Sequence, residues 1–385
     1  MKKKTGIGLI GCGGRLRGLA AGILSVNDRI EVRALCDPNP DAIAATREIC
    51  RAPEAKVYDD HRALSRDPDI KWVLVGSWNA LHRKHVVAAF RAGKHVFCEK
   101  PLATNLTDCL AMRKAWLESG RQFSIGFTLR YSPHYQQIEK LVRRGAIGQI
   151  VSMEFNETID FNHGGFIHAD WRRHREHAGT HLLEKCCHDV DLVNWIVDST
   201  AQRVASFGGL NFFRPENARH IRRIGKHPEG GHTPYMAWPM PEPLNPFTTE
   251  KSIVDNQVAI IEFASGARAT FHTNCNAGIP ERRMYILGTT GAIRADVLTG
   301  QVQMRKIGWD TPFEDVSTEG VGGHGGGDES LVEELGASIV RGRKPRTGLD
   351  DGLRASITCF GIDKAMDTGR VVNMAPMWKR ADIEA

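Results

Sequence analysis

Residues with the types and spacing for chemistry fall into a few groups. The first is Glu99-Lys100-Pro101, which closes the apolar run His95-Val96-Phe97-Cys98. A short apolar run is the mark of a buried strand in a parallel sheet, and open α/β sheets place ligands at the carboxyl ends of their strands. Proline has no N–H to continue the ladder, so Lys100 is held at the rim. An ammonium there can polarise an oxygen; a surface Glu–Lys turn is the plain alternative. The second group is Gly11-Cys12-Gly13-Gly14-Arg15-Leu16, between an apolar strand and a helix. Glycines in that context let backbone approach a pyrophosphate, which rests on the helix N-terminus. Asp37, at the end of the next strand, is placed to accept from a ribose 2′-hydroxyl and to repel a 2′-phosphate, so NAD is expected rather than NADP. Leu16 stands where the third glycine of the pattern belongs, which would push helix and strand slightly apart. The third group is Glu184, His188 and Asp191, spaced as one face of a single helix over 184–195. A carboxylate one turn from an imidazole orients it and raises its basicity, as a general base requires. A satisfied structural histidine remains an alternative. A Glu/His/Asp metal site lacks a complete ligand set, so no metal is assigned.

These residues need elements to position them. Residues 5–126 alternate strand and helix: strands at Thr5–Ile10, Ile30–Cys36, Lys71–Val75, His95–Cys98 and Gln122–Gly126, with helices between. Repeated units of this length imply a doubly wound parallel sheet. Ser77, Trp78 and Asn79 follow one strand at its carboxyl edge, where they can line a cofactor or cap the next helix. Arg130 follows the last strand and can reach the cleft. Beyond Ser132-Pro133 the pattern changes to alternating segments at Ile147–Ile159, Asn256–Phe263, Ala267–Asn274, Arg283–Gly288, Ala292–Val297 and Gly300–Ile307, joined by short glycine-bearing turns. That is a large, mostly antiparallel sheet, solvated or partner-covered on one face. The expected division is 1–128 for dinucleotide binding and 129–385 for substrate and assembly, with the C-terminal helices able to pack back on the first part. Residues 214–248 are irregular, with Arg219, Arg222, Arg223 and Lys226 close together. They read first as a solvated excursion, and otherwise as a receptor for an acidic group or a cap on a neighbouring subunit.

Composition narrows the classes. With 385 residues and 41% hydrophobic content, the chain has ordinary globular composition and room for two domains. No apolar run reaches membrane-spanning length. The apolar stretch after Met1-Lys2-Lys3-Lys4 is short and cut by glycines, so it reads as a strand of a cytoplasmic protein rather than a secretory core. Nine cysteines without framework spacing fit free thiols. A net charge of +6 without a concentrated basic module does not point to nucleic acid.

The glycine loop, Asp37, Asn79 with His82, Glu99-Lys100-Pro101, and Glu184-Lys185-Cys186-Cys187-His188-Asp189-Val190-Asp191 together resemble the glucose–fructose oxidoreductase / inositol dehydrogenase (Gfo/Idh/MocA) family. The resemblance implies a Rossmann domain followed by an α/β domain whose open sheet pairs in homodimers or homotetramers. It implies that Lys100 lies between cofactor and substrate, that His188 and Glu184 handle the proton of a reacting hydroxyl, and that Glu99 and His82 belong to the cofactor side. Trp171-Arg172 is implied near the nicotinamide, and Asp191 and His324 near substrate hydroxyls. Glu184 replaces the usual Asp, and Ser77-Trp78 the usual Thr-Pro. The implied activity is NAD-dependent oxidation of a secondary hydroxyl of a sugar, sugar derivative or cyclitol. The alternative is glycoside cleavage through transient oxidation at C3 with the cofactor retained; a non-enzymatic cofactor-binding regulator is argued against by the full set of Lys100, Glu184 and His188.

Overall fold

The computed structural model describes residues 4–240, 244–319 and 324–383. Two compact units divide the chain: Met1–Pro133 with Val321–Ser356, and His134–Gly320 with Ile357–Ala385.

The first unit is built on six strands, β1 (Thr5–Ile10), β2 (Ile30–Cys36), β3 (Lys56–Val57), β4 (Ile70–Val75), β5 (His95–Cys98) and β6 (Phe123–Ile125), in the order β3-β2-β1-β4-β5-β6. All neighbours run parallel. The order reverses between β1 and β4, the point where such sheets bind ligands. β1 and β4 read as continuous apolar runs because helices cover both sheet faces, leaving five of six residues of each strand buried. One core gathers Ile7 and Leu9 of β1, Leu16, Leu19 and Ile23 of the helix Gly14–Val26, and Leu331, Leu335 and Ile339 of the helix Gly327–Arg341. The latter helix therefore belongs to the dinucleotide unit, as its apolar spacing requires a partner.

The second unit carries nine strands: β7 (Ile150–Asp160), β8 (Ala201–Gly209), β9 (Asn256–Phe263), β10 (Arg268–Ala277), β11 (Arg283–Gly288), β12 (Gly291–Asp296), β13 (Gln301–Lys306), β14 (Phe313–Asp315) and β15 (Val372–Asn373). Their order is β14-β13-β12-β11-β7-β10-β9-β8-β15. Among the described residues only the β7–β10 pair is parallel. In β9, Gln257, Ala259, Ile261 and Phe263 are buried while Val258 and Ile260 face out at 48% and 58% exposure. With Phe207 at 70%, they make an apolar open face. No helix among the described residues is long and apolar enough to cross a membrane.

Two local expectations change. The helix expected over 184–195 is two helices, His181–Glu184 and Cys187–Val197. The break falls at Lys185 and Cys186, where the Cys186 thiol turns inward to Thr273 Oγ1 at 3.5 Å. Residues 214–248 are not simply solvated. Tyr235 and Phe247 are buried in a small core with Phe213, Ile159, Ile167 and Cys275, and Asp255 accepts the backbone N–H groups of Asn211, Phe212 and Phe213, just before the segment. The basic residues Arg219, Arg222 and Arg223 lie on the helix Arg219–Ile224, none of whose residues is buried.

Candidate active site

In the first unit the glycine loop is shaped by close backbone contact. Gly11 has φ +88°, and a side-chain carbon there would lie 2.6 Å from the backbone of Gly76 and Ser77. Gly13 and Gly14 are exposed, and the helix that begins at Gly14 has no side chain capping its first N–H groups. An open helix N-terminus of this kind suits a phosphate. Leu16 is accommodated by a second glycine: a Cβ on Gly76 would lie 2.7 Å from Leu16 Cβ, so the bare Gly76 backbone makes room that the missing third glycine would otherwise provide. Asp37 Oδ2 accepts from the Cys12 N–H at 2.6 Å and Oδ1 from the Asn39 N–H at 2.8 Å. Burial, then Asp37, pushes the Cys12 thiol up to about 12, so it is no nucleophile.

Arg15 ties this loop to the rest of the rim. It donates to Glu99 Oε1 at 2.9 Å, Asp328 Oδ1 at 2.6 Å and Thr128 Oγ1 at 2.8 Å. Glu99, buried, accepts the Lys100 N–H on its other oxygen at 3.3 Å. One carboxylate thus joins the candidate lysine to the glycine loop. The Lys100–Pro101 peptide is cis. His82 is fully buried; its Nδ1 lies 2.8 Å from the Pro101 carbonyl and Nε2 3.1 Å from the Ser77 carbonyl, and burial lowers its basicity. It therefore holds two rim loops from behind rather than reaching into solvent. Ser77 Oγ pairs with His85 Nδ1 at 2.8 Å instead of capping a helix. Asn79 is buried at the start of a one-turn helix, and Trp78 beside it is 43% exposed.

His324 and Asp328 also fall in this unit. Asp328 Oδ2 pairs with His324 Nδ1 at 2.7 Å while Oδ1 takes Arg15. Despite burial, His324 and Arg15 hold the Asp328 carboxyl down to about 2. Asp328 does not cap the following helix as its position suggests; Gly326 occupies that place. Arg130 is buried and pairs with Asp351 at 2.9 Å, which makes it a strut within the unit.

In the second unit, Glu184, His188 and Asp191 are all buried, at 7%, 5% and 1% exposure. Glu184 Oε1 accepts from Arg172 Nε at 3.1 Å, and Arg172 also donates to Asp170 at 2.6 Å. The guanidinium lies 4.6 Å from the Trp171 ring and 5.4 Å from the Phe166 ring. Arg172, with the Trp171 and Phe166 rings beside it, is thus held on Glu184. A further network, not expected from sequence, sits beneath the Cys187–Val197 helix. Arg282 grips both oxygens of Asp189 at 2.8 and 2.7 Å, and meets Glu157 at 3.1 Å, which also pairs with Lys185 at 3.1 Å. Burial opposes the charge on Glu157, yet Arg282 and Lys185 overcome it and keep the carboxyl well below its usual range. Glu157, Cys186 and Asp189 bring ligand atoms within 4.8 Å of one another. Arg282 and Lys185 already pair with these carboxylates, so the group is an ion-pair network, in which burial and Glu157 raise the Asp189 carboxyl to about 7 against the pull of Arg282. His163 is held near the same groups: burial, then Lys185, lowers it to about 3.

An open glycine loop at the switch point of a parallel sheet, with an acid at the next strand's end, defines a dinucleotide-binding fold. Comparison with known proteins agrees. Residues 5–127 match the model of an oxidoreductase family with an NAD-binding Rossmann fold, and residues 135–294 match the GFO/IDH/MocA C-terminal domain. The chain belongs to the GFO/IDH/MocA oxidoreductase family. It is 26% identical over 402 residues to YteT of Bacillus subtilis, whose name places it among oxidoreductases, covering 92% of this chain and 93% of that one. It is 34% identical over 198 residues to an inositol 2-dehydrogenase of Gluconacetobacter diazotrophicus, spanning 50% of this chain and 54% of that one. In fold it is similar to levoglucosan dehydrogenase, solved with NADH and levoglucosan: TM-score 0.77, 21% identity, 97% of this chain and all (100%) of that one.

Proposed function

We propose that this chain is an NAD-dependent dehydrogenase that oxidises a secondary hydroxyl of a sugar, sugar derivative or cyclitol. The observation that carries the reading is the Glu99 carboxylate, which binds the Lys100 N–H on one side and Arg15 of the dinucleotide loop on the other. Gly11, Cys12, Gly13, Gly14 and Asp37 would hold the cofactor, with Ser77, Trp78 and Asn79 at the neighbouring strand end. Asp37, already drawn to the loop by the Cys12 N–H, disfavours the additional phosphate of NADP. When bound, NAD supplies the acceptor for a hydride from the carbinol carbon. Lys100 donates to the substrate oxygen and stabilises it as it becomes a carbonyl. His188 takes the hydroxyl proton. Glu184, anchored by Arg172, orients that exchange, and Asp191 and His324 contribute to substrate hydroxyls. The inositol dehydrogenase relative and the levoglucosan dehydrogenase fold support the substrate class.

The open sheet face supports pairing with a second copy. Phe207, Val258 and Ile260 form an apolar centre, and Glu154 and Arg283 at its edge pair with each other at 3.1 Å, so a second copy would meet an apolar patch with a neutralised rim. The nine cysteines are free thiols, which supports a reducing compartment such as the cytoplasm.

The test is NAD⁺ reduction, followed by absorbance, across polyols, aldoses, uronates and glycosides. Lys100→Ala and His188→Ala are each expected to lower kcat by about 100-fold or more while NADH still binds. Full turnover in either variant would remove that residue from the reaction. Glycoside cleavage without NADH accumulation would replace net oxidation by the transient kind.

A further inference from the structure

The excursion 214–248 delivers one aromatic side chain whose placement the dehydrogenase reading does not use. Tyr235 anchors the segment: its N–H donates to Asn162 Oδ1 at 2.8 Å, and its ring packs 4.9 Å from Phe247 and 5.3 Å from Phe161. Gly165 makes this possible, because a side chain there would run into the Tyr235 backbone. Three residues on, Trp238 lies over the helix Phe161–Ala169. Its indole stacks on His163 at 4.3 Å and 24°, and meets Phe166 at 5.2 Å. His163 and Phe166 are spaced to share one helix face. Phe166 in turn lies under Arg172, the partner of Glu184. So Trp238 stands three contacts from the candidate proton-handling carboxylate.

Its exposure separates it from the other aromatics of the excursion. Tyr235 and Phe247 are at most 1% exposed, as anchors should be, whereas Trp238 is 40% exposed. A side chain needed only to pin the loop would be sunk like its neighbours. An indole backed by two rings and open to solvent is a preorganised surface with little rotamer freedom left to lose. Its electron-rich face attracts the polarised C–H bonds on the apolar side of a pyranose or cyclitol, while the hydroxyls around such a ring remain free for polar groups.

We propose that Trp238, backed by His163 and Phe166, is a stacking platform for the C–H face of a saccharide or cyclitol ring and selects substrates presenting such a face. This deepens the dehydrogenase reading and rests on it. The test compares wild type, Trp238→Ala and Trp238→Phe. With a compound from the panel that wild type oxidises, Trp238→Ala is expected to raise KM about 10-fold with kcat changed less than about 3-fold, and Trp238→Phe to recover most of the loss. An unchanged KM in Trp238→Ala would overturn the platform and leave the dehydrogenase reading standing. Binding is measured separately by saturation-transfer NMR with methyl β-D-glucopyranoside and with myo-inositol on the NADH-loaded protein. If wild type oxidises nothing yet binds one of these through ring C–H protons, and Trp238→Ala abolishes it, the platform holds and the dehydrogenase reading fails. Binding of neither probe by a wild type that also oxidises nothing would overturn the platform.

Discussion

Asp37 shows how one side chain carries two tasks. Its Oδ2 receives the Cys12 N–H and its Oδ1 the Asn39 N–H, so the carboxylate shapes the loop in addition to the ribose contact proposed for it. Asp37→Ser is expected to raise KM for NAD by about 10-fold and to narrow the preference over NADP, because the repelling charge is gone. Steady-state kinetics with both cofactors measures this; an unchanged preference would mean another group discriminates. The places of Lys100 and Asp37 just past their strand ends were legible from the sequence pattern alone. Arg15 was legible only as a loop member. Its triple grip on Glu99, Asp328 and Thr128 spans partners 84, 313 and 113 positions away, and no local pattern announces such contacts.

At the scale of elements, the helix Cys187–Val197 is held from below by charge. Arg282→Met would leave Asp189 and Glu157 buried with Lys185 as their remaining cation, a loss of about 3–5 kcal/mol. Denaturant unfolding should show this as a lower midpoint. Asp363, on the helix Leu349–Thr368, gives a pH signature. Burial raises its carboxyl to about 7, although Thr180 Oγ1 donates to it at 2.5 Å and Gln257 Nε2 at 3.4 Å. A carboxyl raised on folding stabilises the native state at low pH and loses that contribution as pH climbs through the folded value. The protein should therefore lose Tm between about pH 4 and 7. In Asp363→Asn this loss should shrink by several degrees, since Gln257 Oε1, which has no partner, can turn to accept the new amide. Parallel Tm curves for the two proteins would show that Asp363 does not titrate there. Sequence spacing placed Glu184 and His188 on one helix. The structure breaks that helix at Lys185 and Cys186, where tertiary contacts to Glu157 and Thr273 outweigh local helical preference.

For the whole molecule, the open face of the nine-stranded sheet is the feature that asks for company. Phe207, Val258 and Ile260 together leave a contiguous apolar surface larger than scattered exposed residues account for. Phe207→Glu with Ile260→Glu is expected to lower the molar mass measured by light scattering to that of a single chain, 42.7 kDa, with the circular dichroism unchanged. A wild type that already scatters as one chain would refute the pairing.

By itself the sequence determined the alternation of strand and helix, the dinucleotide loop and its acid, and the lysine at the rim. These follow from periodicity, glycine and proline, which act over a few residues. Tertiary structure decided the rest. It placed the helix Gly327–Arg341 against the helix Gly14–Val26, turned His82 inward as a brace, and joined Arg282 to Asp189. It also gave the excursion 214–248 an aromatic anchor and set Trp238 beside His163. Most of these are contacts between residues far apart in the chain, chosen by burial and charge pairing in three dimensions, which no short periodic pattern announces.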